Sequence, residues 1–89
     1  MKLLIVEDSA RLSAALTSDF RREGFAVDHA PDGQAALWQI QTHEYDVMIL
    51  DLMLPRVHGL QVLRALRASQ APTRVLVLSA RDQIEDDIV

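Results

Sequence analysis

Three wholly apolar runs, Leu3-Leu4-Ile5-Val6, Val47-Met48-Ile49-Leu50 and Val75-Leu76-Val77-Leu78, constrain this chain more than any other feature. Four apolar residues without polar alternation leave no face for water, so each run reads as a strand covered on both sides, as in a parallel sheet. Parallel neighbours need crossover segments, and helical periodicity fills the intervals. Ser9 can cap a helix reaching about Glu23, with Leu12, Leu16 and Phe20 at four-residue spacing, and Gly24 ends it. Ala26–Ala30 reads as a short strand. Pro31-Asp32-Gly33 is a turn into a second helix that carries Ala36, Leu37 and Ile40 inward and ends near His43. The first strand is expected over Lys2–Val6 and the third over Asp46–Leu50. A third helix begins at Gly59, with Leu60, Leu63 and Leu66 at helical spacing, and Arg74–Leu78 is the fourth strand. Asp82–Val89 reads as the start of a fourth helix, its acidic residues favouring the helix dipole. The order βαβαβαβα, with right-handed crossovers, gives an α/β chain with a doubly wound parallel sheet.

Composition narrows the function. Hydrophobic residues make up 49% of the 89, enough for one small core, so residues 1–89 are expected to form one domain. A net charge of −4 with no basic stripe argues against direct nucleic-acid binding. The absence of cysteine excludes disulfides and thiolate metal sites. Met1 runs directly into a core strand and no apolar run could span a bilayer, which makes the cytoplasm the expected location.

Two of the apolar runs end in acid: the first at Glu7-Asp8, the second at Asp51. In open parallel sheets ligands bind at the carboxyl ends of the strands. Three carboxylates gathered there repel one another, and a hard divalent cation such as Mg²⁺ relieves the repulsion. Asp8 and Asp51 would hold it directly, with Glu7 binding directly or through a water. Asp51 is also a candidate nucleophile, since a carboxylate can accept a phosphoryl group. Ser79, at the end of the fourth strand, offers a hydroxyl to a phosphoryl oxygen. Singly, Glu7-Asp8 could be a solvated capping loop, Asp51 a turn residue and Ser79 a cap; their combination in this order carries the reading.

The pair Glu7-Asp8, the run Asp51-Leu52-Met53-Leu54-Pro55 followed by Gly59, and Leu78-Ser79-Ala80-Arg81 together resemble the receiver domain of two-component response regulators, most closely the OmpR-type class with a winged-helix DNA-binding domain. The resemblance covers the whole chain. It implies a flavodoxin-like (CheY-like) fold with strand order 2-1-3-4, here lacking the family's fifth strand and last helix. It also implies that Asp51 is the phosphoacceptor, that Glu7 and Asp8 form the acidic Mg²⁺ pocket, that the Met53 backbone carbonyl is a further ligand, and that Ser79 is the switch hydroxyl. The implied partner is a sensor histidine kinase. DNA would be reached only through a domain outside these residues, and the protein would be a signalling module rather than an enzyme.

Two departures from the family pattern bear on activity. The lysine that pairs with the phosphoryl group is not among these residues, and neither is the usual dimerisation face. These 89 residues are therefore expected to be a fragment of impaired activity that forms a non-native homodimer or oligomer through an exposed fourth strand or exchanged elements. His58 stands where the family usually has an acid before Gly59, and a histidine caps the third helix less well. His58 is otherwise read as a surface loop residue, His29 and His43 as surface residues without metal partners, and Trp38 as a partly buried packing residue. Two other functions compete. A hydrolase with an aspartyl intermediate would need a proton donor where Met53 stands. A non-phosphorylated interaction fragment would need only the sheet edge.

Overall fold

In the computed structural model, which describes residues 1–54, 57–78 and 84–86, the apolar runs become the middle of one sheet. The elements are β1 (Lys2–Val6), α1 (Ala10–Arg22), β2 (Ala26–Ala30), α2 (Gly33–Thr42), β3 (Val47–Asp51), α3 (Gly59–Ala68), β4 (Arg74–Leu78) and β5 (Ile84–Asp86). The sheet order is β2-β1-β3-β4-β5, with the first four strands parallel, as in flavodoxin-like folds. β1 and β3 are central and are covered on both faces: Leu3, Leu4, Ile5, Val6 and Leu50 are fully buried. Each such side chain contributes roughly 1.5–3 kcal/mol by leaving water.

The two faces have different cores. Leu4, Val6, Met48, Leu50 and Val75 pack with Val62, Leu63 and Leu66 of α3 and Ala36 of α2. Leu3, Ile5, Val27 and Ile49 pack with Leu16 and Phe20 of α1 and with Phe25. Helix boundaries follow local chemistry. Ser9 accepts from the Leu12 N–H at 3.2 Å and Asp32 from the Ala35 N–H at 2.8 Å. Gly24, at φ 95°, ends α1 in the left-handed conformation that glycine adopts without penalty.

Three expectations change: the fourth helix, the open edge of the fourth strand and the burial of Trp38. Ile84–Asp86 is a strand antiparallel to β4, with Leu76 paired to Asp86 and Leu78 to Ile84, rather than part of a fourth helix; the remainder of that expected helix lies outside the described residues. The reason lies in β4: an apolar edge strand has backbone groups to satisfy, and a strand partner satisfies them where a helix would not. The outer edge of β4 is therefore not open over Leu76–Leu78. Leu60 is 42% exposed, because Val62, Leu63 and Leu66 take the inner face of α3. Trp38 is 59% exposed, since it stands opposite the Ala36–Ile40 stripe and meets the His43 ring only edge-on. His58 caps α3 with a reciprocal pair: its Nδ1 accepts from the Leu60 N–H, and its own N–H donates to Gln61 Oε1, both at 3.1 Å.

Candidate acidic metal centre

β1 and β3 are neighbours in register, with Val6 opposite Leu50. Glu7 and Asp51 therefore leave the sheet side by side at its carboxyl rim, and Asp8 follows on the turn into α1. One oxygen from each of Glu7, Asp8 and Asp51 lies within 4.8 Å of the other two. Glu7 and Asp51 are buried, while Asp8 is exposed. The gathering expected from sequence is present.

Backbone donors hold two of the carboxylates in place. The Ser9 N–H donates to Glu7 Oε1 at 3.1 Å, and the Met53 N–H donates to Asp51 Oδ1 at 2.9 Å. Glu7 Oε2 is buried without a hydrogen-bond partner. Two ionised carboxylates only accept hydrogen bonds, so their close approach favours a proton on Glu7. Burial first, then hydrogen bonding to Asp51, then the charges of Asp51 and Asp8 push Glu7 up to about 7, against the opposing pull of the Ser9 N–H. A buried, unsatisfied oxygen in an all-oxygen cluster of three acids fits a hard divalent cation.

The segment after Asp51 is held close by two glycines. A Cβ on Gly59 would stand 2.6 Å from the Asp51 carbonyl oxygen and 2.7 Å from Leu52 Cα, and a Cβ on Gly33 would stand 2.2 Å from the Val57 carbonyl oxygen. Neither position accepts a side chain without backbone movement, and the Gly59 N–H bonds the Leu52 carbonyl at 3.2 Å. The α3 N-terminus thus braces the end of β3. Met53 lies on this segment with an exposed side chain. Ser79 lies outside the described residues; Leu78, just before it, pairs with Asp51. A hollow of about 770 Å³ lined by Tyr45, Met48, Leu66 and Thr73 sits at the opposite end of β3 and β4 and takes no part in this centre.

One residue near the centre escaped the sequence reading. His29 is exposed on β2, as expected of a surface residue, yet its Nε2 lies 2.8 Å from the Glu7 carbonyl oxygen. No spacing rule links residues 29 and 7; only the parallel pairing of β1 with β2 brings them together.

The response regulator receiver domain family matches residues 3–89. The chain belongs to that family. Receiver domains are regulatory signalling modules rather than conventional enzymes. The chain is similar to the transcriptional regulatory protein CutR of Streptomyces coelicolor, 44% identical over 88 residues, which covers 99% of this chain and 41% of CutR. It therefore spans about 41% of the length of that curated relative. Among solved structures it resembles the response regulator TrrA of Thermotoga maritima in complex with Mg²⁺-BeF, with TM-score 0.83 and 29% identity over 89% of this chain and 69% of that one. It also resembles a Burkholderia pseudomallei response regulator with a phosphorylated aspartic acid, a calcium ion and citrate, with TM-score 0.82 and 27% identity over 88% of this chain and 46% of that one. Among the described residues, no helix is long and apolar enough to cross a membrane.

Proposed function

We propose that the acidic rim is a phosphoacceptor centre, in which Asp51 receives a phosphoryl group from a sensor histidine kinase. The observation that carries this reading is the convergence of Glu7, Asp8 and Asp51, with one buried Glu7 oxygen left unpartnered, on the rim of a receiver sheet. An Asp51 carboxylate oxygen attacks phosphorus, the new P–O bond forms, and the P–N bond to the donor imidazole breaks. Glu7, Asp8, Asp51 and the backbone carbonyl of Met53 would hold Mg²⁺. The ion supplies charge neutralisation for the phosphoryl oxygens and the attacking carboxylate. The Met53 N–H on Asp51 Oδ1 orients that carboxylate. The Ser79 hydroxyl would donate to a phosphoryl oxygen and act as the moving part of the switch. A Mg²⁺-BeF complex in TrrA and a phosphorylated aspartic acid in the Burkholderia protein support the same chemistry here.

The output is regulation of transcription through a DNA-binding domain beyond residues 1–89, in line with CutR being a transcriptional regulatory protein. Phosphotransfer in these 89 residues by themselves is slow, because their one lysine, Lys2, begins β1 at the end of the sheet opposite the acids. With β4 paired to β5, self-association of the 89-residue chain would use the outer edge of β5 or β2, and light scattering at rising concentration would read it. For the central reaction, the chain is incubated with a small acyl phosphate and Mg²⁺ and its intact mass is measured. A gain of one phosphoryl group that disappears in Asp51→Asn is expected. A gain of the same size in Asp51→Asn would refute the assignment.

A further inference from the structure

Glu7 is held from several sides, and one of its ties comes from a side chain. Its N–H donates to the Ala30 carbonyl at 3.1 Å, continuing the β1–β2 ladder by one rung. β2 ends at Ala30. On that side of the Glu7 peptide, the His29 ring supplies the contact, Nε2 to Glu7 O at 2.8 Å. A carbonyl only accepts, so the ring donates and its hydrogen sits on Nε2. Glu7 is then held at its N–H by Ala30, at its carbonyl by His29 and at Oε1 by the Ser9 N–H. Oε2 is its one polar atom without a partner.

We infer that His29 is a positioning residue for this centre: its hydrogen bond to the Glu7 carbonyl fixes the peptide from which the buried carboxylate is presented to a divalent cation. The inference rests on the metal reading above. A ligand held from several sides loses less freedom when it binds an ion, and outer partners of metal-binding groups tune affinity in this way. The ring is exposed, so water competes for the carbonyl once His29 is removed. The effect is that of a single net hydrogen bond rather than loss of the site.

The test is calorimetric titration of the 89-residue chain with Mg²⁺ alone, comparing wild type, His29→Ala, His29→Gln, Glu7→Gln and Val27→Ala. Val27→Ala trims a buried β2 residue away from Glu7 and reports what lower stability does by itself. His29→Ala should weaken Mg²⁺ binding about three- to tenfold, the weight of one hydrogen bond. His29→Gln, whose amide can donate to the same carbonyl, should restore most of the loss, and Val27→Ala should leave affinity unchanged. Proton–nitrogen correlation spectra of wild type should place the ring hydrogen on Nε2. Wild-type affinity in His29→Ala, or equal losses in His29→Ala and His29→Gln, would overturn the positioning role while leaving the metal site intact. If Glu7→Gln binds Mg²⁺ as wild type does, the underlying site is wrong and the inference falls with it.

Discussion

Changing Asp51 to asparagine should raise stability without metal and lower it with metal. The isosteric amide keeps an oxygen for the Met53 N–H, so the 2.9 Å bond that shapes the turn survives. What changes is charge. Carboxylate oxygens no more than 4.8 Å apart repel by at least about 3.5 kcal/mol per ionised pair at an effective dielectric near 20. Proton sharing by Glu7 and solvent at the exposed Asp8 relieve much of this, so Asp51→Asn should gain about 1–2 kcal/mol in chelator. Wild type should recover by linkage, about 2.7 kcal/mol when Mg²⁺ reaches a hundred times its dissociation constant. Urea denaturation followed by far-UV circular dichroism, in EDTA and in Mg²⁺, reads both effects. The order of stability of the two proteins should therefore reverse between conditions. An Asp51→Asn protein that is less stable in EDTA and responds fully to Mg²⁺ would refute the reasoning, because the acids would then be neither coupled nor jointly liganding.

Glu7 carries a pH signature in chelated protein. With its folded value raised from 4.5 to about 7, the folded state holds the proton more tightly. The contribution is fully present below the unfolded value and is lost as pH rises toward and through about 7, by at most about 3 kcal/mol. Denaturation midpoints at pH 5 and 7.5 should show the fall, and Glu7→Gln should flatten it; an unchanged slope in that variant would assign it elsewhere. Gly59→Ala places a Cβ 2.6 Å from the Asp51 carbonyl oxygen. It should cost about 1–3 kcal/mol despite alanine's better helix propensity, and should weaken Mg²⁺ binding as the end of β3 shifts. His58→Ala should cost about 0.5–1 kcal/mol through loss of the α3 cap, and His58→Asp should not. Equal stability of the two variants would show that the cap carries no weight.

What the sequence discloses well is whatever depends on residues near one another in the chain. The all-apolar runs mark β1, β3 and β4 because burial on both faces leaves no place for polar side chains. Ser9 and Gly24 bound α1 because caps and left-handed stops are local chemistry. The meeting of Glu7, Asp8 and Asp51 was readable because parallel topology sends neighbouring strand ends to one rim. The failures are tertiary. Ile84–Asp86 carries helix-compatible residues, yet the edge of β4 draws its backbone into pairing. Trp38 reads as a partly buried packing residue until the inner stripe of its helix is filled by Ala36 and Ile40. The His58 cap is by contrast local, with Gln61 three residues on completing a reciprocal pair usually written with serine or threonine. The link from His29 to Glu7 depends on strand register.

The most direct test of the central claim is a crystal structure of the chain grown with Mn²⁺, a stronger anomalous scatterer than Mg²⁺ with similar oxygen chemistry. An anomalous peak bound by oxygens of Asp8 and Asp51, with Glu7 bound directly or through one water, is the expected result. A peak elsewhere, or Asp51 turned away from Glu7 and Asp8 with manganese present, would contradict the account.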